Sequence, residues 1–210
     1  KSISMADSRA SKETVGKNRV EALTDGIFAF ALTVLVLNIE VPSVLPMPLS
    51  ADPVMDLLRG LIPDFAHYFF AFVVLAGFWV SHHLFFSRIK GVDRSLTWLS
   101  ISGLVFVALV PFTAQLADTF VNYPSAAIVF ETNVLIIGLI FYMQWTYATK
   151  KDGLLDETAD QEGISNADKR MLVMPAISVF AIVLAILGVT WTPMIYIFSP
   201  LALLMLSRKR

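Results

Sequence analysis

An all-α integral membrane protein with six spans is the fold class this sequence predicts, and three observations carry that reading. Its apolar residues fall in blocks of about 20, the length an α-helix needs to cross a hydrocarbon core of roughly 30 Å. The chain has 210 residues, 56% of them hydrophobic and 16% charged, where a soluble domain carries about a quarter charged. Its basic residues are also sorted by position: with six spans, every Lys and Arg of the 16 except Arg59 falls on one side. That sorting is the positive-inside pattern, so it places both termini of a multi-pass membrane protein in the cytoplasm.

Taken in order, residues 1–18 read as a polar, basic cytoplasmic arm, with no cleavable leader expected because the first apolar block is too long for one. Span 1 covers about 19–40 and ends before Pro42. A proline-rich outer loop follows, with Pro42, Pro46, Pro48 and Pro53. Span 2, about 57–87, is long, and Pro63 predicts a kink or a short lead-in helix near its start. Arg88, Lys90 and Arg94 mark the linker to span 3, about 95–117, in which Pro111 predicts a kink. Span 4 covers about 125–148. Residues 149–170 are mixed in charge and are expected to be solvated. Spans 5 (about 171–190) and 6 (about 193–207) form a hairpin through Trp191-Thr192-Pro193, and 208–210 is a basic cytoplasmic tail.

Several chemistries are excluded or poorly supported. The chain has no cysteine, so disulfides and thiolate metal sites cannot form. His82 and His83 are adjacent, so on a helix they point about 100° apart and do not share a face as two ligands would. With neither an HExxH nor a G-x-S-x-G pattern present, no metal site and no hydrolase is expected. No enzyme activity, cofactor or nucleic-acid partner is predicted.

Span 1 carries the candidate functional residues. Steps of four and three along it give an apolar seam, Leu23, Ile27, Phe30, Val34, Leu37 and Val41, and a second stripe is small: Ala22, Gly26, Ala29 and Thr33. Such a seam fits packing between helices or the lining of a pore. Asp25 lies roughly 9 Å below the basic end of the span at 1.5 Å per residue, at a depth similar to His82 and His83 of span 2. An ionisable group there needs a partner; Arg19 and the two histidines are the candidates, with Thr24 as a hydroxyl relay. The cluster serves either as an inter-helix clamp or as a gating element. Glu131 and Asn133 of span 4 read as inter-helix hydrogen bonds near the outer surface, or as a cation-attracting feature at a pore mouth. Trp79, Trp98, Trp145 and Trp191 fall near span ends, where aromatic belts form. The TVGYG filter of conventional potassium channels is absent.

Arg19-Val-Glu-Ala-Leu-Thr-Asp25 resembles the R-x-x-x-F-S-D signature of the transmembrane protein 175 family of potassium channels, and the resemblance continues through Gly26–Leu37, Phe78-Trp79-Val-Ser-His82-His83, Asp93, Leu96 and Pro111-Phe112. It implies a prokaryotic member: a homotetramer in the bilayer with span 1 around a central pore. Potassium would be the permeant ion, and no cofactor is implied. Matched from the signature aspartate, the implied constriction is Phe30, Val34 and Leu37, with Thr33 beside them. Arg19, Thr24, Asp25, Trp79, His82 and His83 form the implied signature and inter-helix network. Leu23-Thr24 stands where the family has Phe-Ser, and Phe30 replaces an isoleucine. The implied function is a passive, potassium-preferring leak through a hydrophobic constriction. The alternatives are a proton- or cation-coupled transporter and a non-conducting assembly protein.

Overall fold

The computed structural model describes residues 16–42, 52–151, 153–156, 161–200 and 202. Most of the basic arm, the centre of the proline-rich loop and the 208–210 tail therefore lie outside the described residues. Among those described, α1 (Lys17–Val34), α2 (Pro53–Gly60), α3 (Ile62–Phe86), α4 (Arg94–Thr119), α5 (Pro124–Lys150) and α6 (Gln161–Ile186) follow in order. The 3-10 segments Leu35–Asn38 and Thr192–Phe198 complete them. All except α2 and the second 3-10 segment belong to five stretches long and apolar enough to cross a membrane. The chain is an all-α multi-pass membrane protein.

Sequence and structure differ mainly at the helix ends. Span 1 is α-helical only to Val34 and tightens into a 3-10 turn through Asn38, so Val41 of the apolar seam lies beyond the helix. Span 2 is two helices. Asp52 caps α2 by accepting the Met55 N–H at 3.1 Å, and after Leu61, α3 begins with Pro63 in its first turn. That is where a missing N–H costs nothing. Pro111 sits within an unbroken α4, and its carbonyl accepts from Asn38 Nδ2 at 2.9 Å, tying the end of span 1 to α4.

Span 5 begins ten residues before the expected 171, because the helix continues beyond its apolar stretch on a stripe of Ile164, Ala167, Met171 and Met174. It ends at Ile186 in a Schellman motif: Gly188 has φ 91°, its N–H bonds Ala185 O at 3.0 Å, and Val189 N–H bonds Leu184 O at 3.0 Å. Span 6 starts as the 3-10 turn Thr192–Phe198, and most of its remainder lies outside the described residues.

Two apolar cores hold the bundle. The central one gathers Phe28 and Leu35 from span 1, Val74 and Phe78 from α3, Val107 from α4 and Phe141 from α5. Phe141 is its hub, with ring centres 6.3 Å from Phe28 and 5.7 Å from Phe78. The second core, at the basic end, joins Val20, Phe85, Phe86, Leu96, Trp145 and Leu154. Leu154 makes the 149–170 segment a packed linker over part of its length rather than a solvated loop. Lys90 N–H bonds Leu154 O at 2.8 Å and Asp156 N–H bonds Arg88 O at 3.0 Å, so the two basic linkers pair.

Candidate functional site: the uncovered face of the first helix

The protomer packs span 1 through Val20, Thr24, Phe28, Ala31 and Leu35, all buried. Their spacing of four and three marks one helical face, which lies against α3 and α4. It is neither of the two faces singled out from sequence. Along the apolar seam, Phe30 is 70% exposed and Leu37 72%, Leu23 is exposed, and Ile27 and Val34 are partly buried. Ala22, Gly26, Ala29 and Thr33 of the small stripe are exposed as well. Span 1 is the least covered of the five: 28% of its apolar stretch is buried, against 33–50% for the others.

The 3-10 turn changes the seam's geometry. At three residues per turn, side chains three apart eclipse, which sets Leu37 directly above Val34. Phe30 stands one α-turn below Val34. Thr33 Oγ1 donates to Phe30 O at 2.7 Å, so its hydroxyl is turned to its own backbone.

At the basic end, Asp25 meets a different partner from those expected. It is exposed on the protomer, and its Oδ1 accepts the indole N–H of Trp79 at 2.9 Å. His83 stacks on Trp79 with ring centres 5.7 Å apart, and its Nδ1 lies 3.9 Å from Glu21 Oε1. His82 faces the other way. It is buried, stacked on Phe86 at 4.4 Å, with Phe141 at 5.1 Å. Thr24 is no relay, because its hydroxyl bonds Val20 O within the helix at 2.9 Å. Arg19 is exposed. The structure thus brings together Asp25, Trp79, His83 and Glu21, and leaves Arg19, Thr24 and His82 outside that contact.

Glu131 is fully buried and makes the expected inter-helix hydrogen bonds. It accepts from Thr192 Oγ1 at 2.9 Å and Tyr196 OH at 2.5 Å, and Tyr196 OH lies 2.9 Å from Ser178 Oγ. With both oxygens bonded inside the protomer, it is no feature of a pore mouth. Asn133 Nδ2 donates to Phe106 O at 3.2 Å, an inter-helix bond as expected. The i, i+4 hydroxyls of Thr192 and Tyr196 were a visible signal, but sequence spacing alone does not pair them with a carboxylate 61 and 65 residues earlier. Among the tryptophans only Trp98 stands free as a belt residue would. Trp145 is buried and bonded to Asp168, and Trp191 stacks on His67, which pairs with Asp118.

Among the described residues no group of three or more His, Asp or Glu is arranged to hold a metal ion. What the site offers chemically is an apolar surface with one hydroxyl, on a membrane-length helix, above a hydrogen-bonded carboxylate.

Comparison with known proteins places this arrangement. The family model described as the endosomal/lysosomal potassium channel TMEM175 matches residues 19–111, which include span 1 and the Trp79–His83 stretch. The chain is 36% identical over 149 residues to a potassium channel of Streptomyces collinus, covering 68% of this chain and 69% of that one. It is 29% identical over 174 residues to a potassium channel of Chamaesiphon minutus, covering 81% and 85%. The human endosomal/lysosomal proton channel TMEM175 is 28% identical over 145 residues, which are only 29% of its own length. In fold, the chain superposes on the crystal structure of a lysosomal potassium-selective channel TMEM175 homolog from Chamaesiphon minutus with a TM-score of 0.75. That match has 24% identity and covers 91% of this chain and 98% of that one. The match to the TMEM175 family model and the likeness to bacterial potassium channels over two thirds or more of both chains identify the chain as a prokaryotic member of the TMEM175 family of ion channels.

Proposed function

We propose that this protein is a potassium-permeable, potassium-preferring channel, a homotetramer with span 1 around a four-fold axis. It would sit in the plasma membrane with both termini in the cytoplasm. One observation carries the reading: span 1 is the least covered of the five membrane-length stretches, and its apolar seam leaves Phe30 and Leu37 exposed on the protomer with Val34 partly buried between them. Four copies of that seam form stacked rings of hydrophobic side chains. A cation crosses such a ring only while it is wide enough to stay wet, and a small closure empties it. Discrimination then follows the cost of partial dehydration, which is lower for potassium than for sodium.

The small stripe of Ala22, Gly26 and Ala29 supports close approach of neighbouring copies. Asp25, Trp79, His83 and Glu21 hold the base of span 1 against α3. Arg19 stays outside this contact, exposed on the protomer, while the buried Thr24 and His82 secure α1 and α3 to the protomer core.

Reconstitution in liposomes tests the reading. The purified chain should pass potassium down its gradient, with a reversal potential favouring potassium over sodium. Phe30→Ala and Leu37→Ala should each raise flux and pull the reversal potential toward zero. Unaltered flux and reversal potential in both variants would remove the pore from this face. Saturable flux coupled to a second ion would make the chain a transporter. A proton-sensitive dye in the same vesicles reports whether protons share the path.

A further inference from the structure

On another side of the protomer lies a groove of about 610 Å³ between α3, α6 and the start of span 6. Its floor is a second apolar stripe, Phe69, Phe72, Ala76, Val80 and Leu84 of α3, with Met171 of α6 opposite. From Phe69 to Arg88 the stripe runs 19 positions, on the order of 28 Å along the helix axis at 1.5 Å per residue. The volume is in the range of roughly 300–1,000 Å³ that ligand sites occupy.

At its basic end the groove is rimmed by Arg88 and Arg170. Arg88 is already engaged within the protein, so the charge available to a ligand rests on Arg170. This side chain is partly buried, and its Nε is fully buried with no hydrogen-bond partner among the described residues. A buried guanidinium N–H left unpaired costs free energy that an anionic oxygen would recover. Asp168, two residues earlier, is bonded to the Trp145 indole instead.

We infer that this groove binds an anionic phospholipid of the leaflet at the basic end of the bundle, its phosphate on Arg170 and an acyl chain along the α3 stripe. The ligand class follows from the pairing of an apolar channel with a guanidinium that has an unpaired N–H at the basic end of the bundle. A second copy of the chain fits less well. In a parallel assembly equal depths meet, and the neighbour would bring its own Lys- and Arg-rich end against Arg170. The inference does not rest on the pore reading.

Native mass spectrometry of the purified full chain, titrated with phosphatidylglycerol or phosphatidylcholine, tests it. Wild type should retain phosphatidylglycerol about tenfold more strongly than phosphatidylcholine, the size expected of one charge-assisted contact. Arg170→Gln should erase the preference and Arg170→Lys keep most of it. Ala76→Trp, which fills the tail channel and leaves the charge, should weaken both lipids. Equal binding of the two lipids by wild type would overturn the inference, as would unchanged binding in Ala76→Trp or a preference intact in Arg170→Gln. Should Arg170→Gln not fold, Ala76→Trp decides alone. Millimolar inorganic phosphate should not displace the lipid; full displacement would make this a free-anion site. Efficient cross-linking of Val80→Cys between copies would show that a neighbouring subunit covers the groove.

Discussion

Trp79 gives the signature aspartate its partner. An indole N–H is a neutral donor, so the Asp25–Trp79 bond is a hydrogen bond to a neutral group rather than the ion pair that a charged partner would make. Beside it stand His83 and Glu21, 3.9 Å apart. We expect Trp79→Phe and Asp25→Asn each to lower the melting temperature of the purified protein and to alter potassium flux in liposomes. The double variant should be little worse than either single one, since both remove the same bond. Strictly additive losses would mean the contact is not coupled.

At the scale of helices, two glycines behave oppositely. Gly138 of α5 lies against Pro175 of α6, where an added Cβ would stand 2.8 Å from the proline Cγ and 2.9 Å from its Cδ. The pyrrolidine ring has no rotamer to yield, so Gly138→Ala must push α5 and α6 apart. We expect a loss of about 1–3 kcal/mol, as for other overpacked cores, read from thermal unfolding. Gly26 of α1 has nothing within 4 Å of an added Cβ in the protomer. Gly26→Leu should leave the protomer folded but weaken a tetramer packed along the small stripe, so light scattering should report smaller particles. An unchanged tetramer would place that stripe away from the subunit contacts.

Across the whole molecule, Asp93 ties the basic linkers to the bundle. It caps α4 by accepting the Leu96 N–H at 2.8 Å, accepts from Tyr147 OH at 2.7 Å, and pairs with Lys151. Burial pushes the Asp93 carboxyl up, but hydrogen bonds from Lys151, Tyr147 and the Leu96 N–H outweigh it and hold the group below its usual range. Hydrogen bonds to Asp93 and Tyr147 push the Lys151 ammonium up. A depressed carboxyl stabilises the fold above its unfolded pKa of about 3.9, and that contribution is lost as pH falls through the folded value. The Lys151 contribution is complete below about pH 10.4 and is lost only at higher pH. Between these limits the tie is insensitive to pH. Asparagine caps a helix about as well as aspartate, while alanine costs about 1 kcal/mol more. Asp93→Asn should therefore flatten the acid limb of a melting-temperature profile with a small loss at pH 7, and Asp93→Ala should lose more at every pH.

The sequence by itself determined that the chain crosses a membrane several times, and that span 1 is its distinctive helix. Those properties depend on length, apolarity and charge summed along a segment, which sequence displays directly. The seam of Phe30, Val34 and Leu37 was legible for the same reason, because periodicity is local. Which of span 1's three faces packs inward was not, since Val20, Phe28 and Leu35 are as apolar as the seam and only their fit against Phe78 and Phe141 separates the two. Pairings across the bundle also belonged to the tertiary structure alone. Asp25 and the histidines share a depth, but depth along the membrane normal says nothing of the angle around each helix. It is that angle that turns Trp79 toward Asp25, His82 into the core, and the hydroxyls of Thr192 and Tyr196 onto Glu131.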